Sequence, residues 1–311
     1  MIRGLKLSAS AAALMLLMGG VMSSAQAADY AEPGCTLSGS VAAGFLYDWQ
    51  DVHFPGDGSE GVDWSTPFGE GAGLVTCGGF NIQADVAYHA HSGEVEDFGA
   101  DVDFDQTNTH IGGALFYRDP VSWAGGLQAS WISRDIGGID LDVFRAGLFG
   151  EFYLDDVFTL GASAHYYNAD WPSNFIGGGK DEDGFQLAAW GRFYATPDLS
   201  FLLRGDVLLA DLEDGDGDEA DWDGFAINGE GEYLVWDQGL SLFAGARYAE
   251  RQFDPENSSF SLDVDDFQVY GGVKFSFGQG GTLLERQRTG PVDNTSVFDE
   301  KLPLPFASGP S

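Results

Sequence analysis

In Asp266-Phe-Gln-Val-Tyr-Gly-Gly-Val-Lys-Phe-Ser-Phe277 the residues alternate. Phe267, Val269, Gly271, Val273, Phe275 and Phe277 fall on one face, and Gln268, Tyr270, Gly272, Lys274 and Ser276 on the other. Successive side chains of a β-strand point to opposite sides, so this pattern predicts a strand with one face suited to hydrocarbon and one to water. A strand needs about 9–11 such residues to cross a bilayer, far fewer than a spanning helix. The stretch therefore predicts the closing strand of a transmembrane barrel.

The same pattern recurs upstream. Cys35–Trp49 carries Leu37, Val41, Phe45 and Tyr47 on one side, and Phe80–His91 sets Phe80, Ile82, Val86 and Tyr88 against Asn81, Gln83, Asp85 and His89. A weaker strand, Glu70–Cys77, lies between them, diluted by Gly71 and Gly73. Eight further strands follow as four hairpins: 109–117 with 121–133, 141–154 with 157–168, 185–195 with 199–210, and 224–235 with 240–251. The tight turns start at 78, 118, 155, 196 and 236, so the intervals are 40, 37, 41 and 40 residues. Regular hairpins with turn residues at each node are an all-β signature. The count is about twelve antiparallel strands in an up-and-down transmembrane barrel over residues 28–278.

The connections on the other rim are long and acidic. Residues 92–106, 211–223 and 250–266 hold six, eight and six carboxylates respectively. Short turns on one rim and long loops on the other are how outer-membrane barrels are built, with the short turns in the periplasm. A soluble β-sandwich would bury its aromatic faces against each other and gives no reason for this asymmetry.

Residues 1–27 read as an export signal. Arg3 and Lys6 precede an apolar stretch, and Ala25-Gln-Ala27 is a small-residue cleavage site. The expected destination is the bacterial outer membrane. The net charge of −35 becomes −37 once Arg3 and Lys6 are removed, which argues against nucleic acid as a partner. Outer-membrane lipid and lipopolysaccharide are the expected surroundings. No cofactor is expected beyond weak Ca²⁺ or Mg²⁺ binding by the acidic loops. Asp214-Gly-Asp-Gly-Asp218 resembles the opening of a calcium loop, but Glu219 and Phe225 break the EF-hand pattern. Cys35 and Cys77 fall at the same end of neighbouring strands in an oxidising compartment, which predicts a disulfide.

Gly112-Gly-Ala-Leu-Phe-Tyr-Arg-Asp-Pro120, Val269–Gly278 and Gly281-Thr-Leu-Leu-Glu-Arg-Gln-Arg288 resemble porin-like outer-membrane barrels of alphaproteobacteria. Phe275-Ser-Phe277 likewise resembles the terminal strand that the outer-membrane assembly machinery recognises, which implies Phe275 and Phe277 as its contacts. The chain departs from most such barrels by continuing past Phe277. Residues 279–311 change in composition and read as a flexible periplasmic tail.

With the apolar face outside, Asp85, Glu151 and the pore-lining set Arg145, Arg192, Arg204, Asp206, Glu230, Glu232, Arg247 and Lys274 point into the lumen. Counting from the short turns sets Arg204, Glu230 and Arg247 side by side on consecutive strands, an expected ion-pair belt flanked by Arg192 and Lys274. Such a belt would set selectivity in a channel for small hydrophilic solutes or ions. The alternatives are a structural barrel whose acidic loops bind divalent cations and lipopolysaccharide and, third, an outer-membrane hydrolase. His89 and His91 share a face with His110 expected opposite, an arrangement that would suit a transition metal; ordinary lumen polarity is the simpler account, and no metal is assigned. Ser163 and His165 both point inward, and nothing in the sequence supplies an orienting group or an oxyanion site. The protein is not expected to be an enzyme.

Overall fold

The computed structural model describes residues 34–54, 58–95, 102–136, 139–171, 180–214, 219–255, 261–278 and 280–295. The export signal and most of the Asp214–Asp218 run lie outside the described residues. The chain is a closed antiparallel barrel of twelve strands in sequence order. They are β1 (Cys35–Phe54), β2 (Gly58–Cys77), β3 (Phe80–Val95), β4 (Val102–Asp119), β5 (Trp123–Ile136), β6 (Ile139–Leu154), β7 (Phe158–Trp171), β8 (Lys180–Thr196), β9 (Leu199–Asp214), β10 (Glu219–Trp236), β11 (Leu240–Pro255) and β12 (Leu262–Phe277). The closing strand pairs with the first, Gly39 opposite Phe277. A short helix, α1 (Leu283–Thr289), follows. Among the described residues no helix is long and apolar enough to cross a membrane.

The alternation places apolar side chains outside: Phe80, Ile82, Leu148 and Phe152 are each at least 60% exposed. Aromatic rings gather at both ends of this band, as membrane interfaces favour. Phe80, Tyr117 and Trp123 form one run near the short turns, and Trp49 against Phe267 and Tyr166 against Phe185 lie toward the other rim. Cys35 and Cys77 are directly opposed on β1 and β2 and joined by a disulfide.

The strands run much further than the apolar pattern suggests. Strand β2 begins at Gly58 rather than Glu70, and much of 92–106, 211–223 and 250–266 continues the hairpins as paired strand. Alternation marks the part of a strand that meets lipid; beyond the bilayer both faces are wet, and the hydrogen-bonded ladder continues without an apolar face. Pro67 sits inside β2, where the β2–β3 pairing breaks between Ser65 and Phe68. Proline has no N–H to give to the ladder.

Residues 280–295 do not behave as the free tail expected from 279. They turn back into the barrel, where Leu283, Arg286, Arg288, Val292 and Asn294 are buried. The reason lies in the lumen wall.

Candidate functional site in the barrel lumen

The inward side chains form storeys. Nearest the short-turn rim, Leu74, Ala114, Phe116, Ala124, Phe149 and Tyr153 pack with Val292, and Tyr194 and Leu234 with Leu283. Toward the opposite rim, Ile132, Leu141, Val143, Leu208 and Trp222 form an apolar cluster with Tyr167. Ile132 and Leu141 are no more than 1% exposed although they point inward, so side chains rather than water cover them. Arg145, Arg204, Glu230 and Arg247 lie between these storeys, whereas Arg134, opposite Leu141, and Glu182, bonded to Tyr167, lie level with the second one.

Helix α1 lies across the short-turn rim. Thr282 caps it, accepting from Glu285 N (3.2 Å), while the Glu285 carboxylate accepts from Thr282 N (3.0 Å). This reciprocal box satisfies two helix-end donors. The Thr282 backbone N–H is also the main reason the Glu285 carboxyl is held below its ordinary range. The helix is tied to the rim by its arginines: Arg286 donates to Asp237 O (2.6 Å) and Ser276 O (3.3 Å), and Arg288 to Asp155 O and to Phe158 O (3.3 Å). Gln287 reaches Glu151 (3.2 Å) and accepts from Tyr194 (2.9 Å).

Beyond the helix the chain is extended, and the wall addresses its main chain. Ser38 donates to Thr289 O (3.3 Å), Arg118 to Gly290 O (2.6 Å) and Gln128 to Asp293 O (2.8 Å). Arg145 donates to Asn294 O and Arg204 to Thr295 O (2.9 Å). Gln83 holds Val292 at both ends, donating to its carbonyl (2.7 Å) and accepting from its N–H (2.8 Å). Asn294 donates to Asp85 and to the carbonyls of Gly113 and Ala129. The wall makes room at Gly112, where an added Cβ would come within 2.6 Å of Asn294 Nδ2 and 2.4 Å of Asp85 Oδ2.

The residues expected to line a pore lie on the inner face, but the pairing differs from the expected belt. Both Arg204 and Arg247 stand opposite Asn228, whereas Glu230 stands opposite Leu202 and Gly245. Counting from the turns ignores the stagger between neighbouring hairpins and the register shift between Leu234 and Trp236. Arg204 instead forks onto Asp206 (2.8 and 2.9 Å) and bridges to Asp293 of the returning segment (2.9 Å). Glu232 takes Arg192 (3.4 Å), Lys274 (3.2 Å) and the Ser241 hydroxyl (2.7 Å). Glu230 accepts from Tyr270 (3.1 Å), with Arg192 at 4.0 Å. Arg247 donates to Gln268 (3.1 Å) and lies over the Tyr270 ring. Arg145 bonds Ser130 and Gln186.

His89 stands opposite Asn108 and His110 opposite Ala87, so the two do not face each other as expected. His89 lies 3.7 Å from Glu70, His110 3.8 Å from Asp85, and His91 shares a hydrogen bond with Thr66 (2.8 Å). Among the described residues no three His, Cys, Asp or Glu are grouped to hold a metal. His165 bonds Gln128 (3.1 Å).

The segment takes most of its wall hydrogen bonds from β3–β6. Beside it a cavity of about 300 Å³ remains, lined by Glu70, Arg192, Glu230, Arg247, Tyr270 and Lys274 among others, and bounded also by β3 and by the segment itself. The Glu70 and Lys274 side chains keep 42% and 34% of their surface exposed there.

Sequence reasoning missed Gln83, Arg118, Gln128 and the residues of the segment itself. A signal for the helix was present: Thr282-Leu-Leu-Glu285 is a capping-box sequence, and Gly290-Pro291 is a stop.

These features define a class, a closed twelve-stranded barrel of the outer-membrane kind with its own C-terminal segment in the lumen. No family model and no curated protein matches the sequence. Solved structures do. An outer membrane channel from Pseudomonas putida F1 is similar with TM-score 0.54 at 11% identity, over 79% of this chain and 97% of that one. The translocator domain of the autotransporter NalP from Neisseria meningitidis gives 0.48 at 12%, over 88% and 100%. The Pseudomonas putida toluene transporter TodX gives 0.46 at 10%, over 80% and 90%. At such identities the likeness is one of fold, and the first comparison carries it.

Proposed function

We propose that the protein is a narrow outer-membrane channel of the alphaproteobacterial porin-like kind, for passive diffusion of small hydrophilic solutes or ions. It reaches the membrane through a signal cleaved after Ala27, with Phe275 and Phe277 serving the assembly machinery, and it carries no catalytic activity. The observation that supports conduction is the cavity beside the segment. Inward Glu70 and Lys274 stay wet there while most of the inner wall is buried. Charged rings at a constriction select ions, and Arg192, Arg247, Lys274, Glu230 and Glu232 are the filter in this reading. The full mature chain in a planar bilayer should give small discrete steps, and Lys274→Ala or Arg247→Ala should shift reversal potential in a salt gradient toward cations. A folded, heat-modifiable barrel that gives no steps overturns the reading.

A second reading has its own observation. Asp183, Asp211, Asp221 and Asp254 stand directly opposite one another across β8–β11, all exposed, and Glu250, the half-buried Asp265 (bonded to His53 and Tyr248) and Asp51 stand opposite one another across β11, β12 and β1. Like charges in register are destabilising unless counter-ions screen them. Diffusely held Ca²⁺ or Mg²⁺, shared with lipopolysaccharide phosphates, would do so. Chelation should then lower the melting temperature, less so in an Asp211→Asn/Asp221→Asn variant; no shift on chelation ends this reading.

A further inference from the structure

The returning segment is bound in an unusual manner for a plug. From Thr289 to Thr295 every backbone carbonyl but that of Pro291 accepts a hydrogen bond from a wall side chain. The donors are hydroxyl, amide and guanidinium groups, and Ser38, Gln83, Arg118, Gln128, Arg145 and Arg204 are each no more than 8% exposed. Buried polar groups are costly without partners, so a wall carrying these six is built around an occupant. Main-chain carbonyls are common to every polypeptide. Donors aimed at them give affinity with little regard to sequence, as in strand addition to a sheet edge. The segment's own side chains add less: Val292 joins the apolar storey, Asp293 meets Arg204, and Asn294 enters the gap at Gly112.

We infer that this arc of the lumen is a polypeptide-binding groove that reads main chain, occupied here in cis by residues 289–295 and able to take an extended peptide supplied in trans. The tether explains why the chain's own segment holds the groove. A covalent link on a short connection acts as a local concentration in the millimolar range, which a free peptide has to overcome. The inference stands apart from conduction, since a groove can hold peptide in a barrel that passes no ions.

The test begins with the folded full chain. A protease site replaces Gln279–Gly281, next to the exposed Gly278, and is cut after folding, so that helix α1 and the segment are held by non-covalent contacts alone. Detergent gel filtration with mass spectrometry then reads what remains bound. The cut segment should stay with the barrel. A Gln83→Ala/Gln128→Ala double variant should lose it at least tenfold faster, about what a few neutral hydrogen bonds are worth. Synthetic peptides of unrelated sequence but equal length should displace it within about tenfold of a Thr289–Thr295 peptide. Immediate loss of the cut segment from the parent barrel overturns the groove. Equal retention in the double variant overturns the role of the wall amides. Displacement by the cognate peptide alone overturns the main-chain reading and leaves a sequence-specific plug.

Discussion

The two arcs of the lumen wall treat their polar side chains in opposite ways. On β3–β6 the wall groups give hydrogen bonds to a piece of chain, Gln83 to Val292 and Gln128 to Asp293, and the segment lies along the wall. On β10–β12 they spend them on one another, Lys274 and Ser241 on Glu232 and Tyr270 on Glu230, and a cavity is left. A buried polar group has to be partnered in either case. Where the partner is in the wall the lumen stays open, and where it is a segment the lumen narrows. Arg204 belongs to both arrangements, forked onto Asp206 in the wall and bridged to Asp293 in the segment.

That makes Arg204→Ala the change with the largest expected effect. It leaves Asp206, 3% exposed at its side chain, without its principal partner, a cost of about 3–5 kcal/mol for breaking a buried pair. Chemical denaturation in detergent should show this loss together with proteolysis at residues 293–295. If stability falls while the segment stays protected, the two arcs are less linked than the geometry implies. The contrast sharpens with Gly112→Val against Ala42→Val. The first pushes side-chain bulk into Asn294 and Asp85 and should cost about 1–3 kcal/mol by overpacking. The second adds the same kind of bulk beside the cavity and should cost less, with a drop in conductance instead. Equal melting temperatures for the two would erase the distinction.

The smallest effect concerns the rim. Thr282→Ala removes the side-chain acceptor of the helix cap, worth about 1 kcal/mol, and should raise hydrogen exchange over 283–290 without touching the wall. Acid should act in the same direction. Glu285 is held below its ordinary range, so its contribution is present above that range and is lost as pH falls through the depressed value. Protection factors over α1, corrected for the intrinsic exchange rate at each pH, should therefore fall in acid in the parent and fall less in Glu285→Gln.

The fold was legible because lipid enforces alternation: Phe267 to Phe277 on one face and Lys274 on the other leave little choice of element. Cys35 and Cys77 were legible as a pair because one opens β1 and the other closes β2, which sets both at the short-turn end of neighbouring strands. Pairings within the lumen were not. Arg204 and Glu230 lie on hairpins whose stagger is a property of the closed barrel, and no local pattern encodes it. The acidic strand extensions were hidden because alternation stops where lipid stops. The segment was hidden by its own composition. Glu285, Arg286 and Arg288 read as a solvated charged tail, and Gln83 and Gln128 as any polar lumen residues, until the two are brought together.

The seam between the first and last strands has a consequence for assembly. Phe277 lies opposite Gly39, and its ring occupies the space a side chain there would need: an added Cβ would lie 2.4 Å from it. Until the seam forms, β1 and β12 are open edges, and open edges invite pairing with other chains. If the assembly machinery holds the Phe277 ring during insertion, as proposed above, it must let it go before the ring can settle on Gly39. Release and closure are therefore a single hand-over, and filling Gly39 would stall it with the ring still outside its socket.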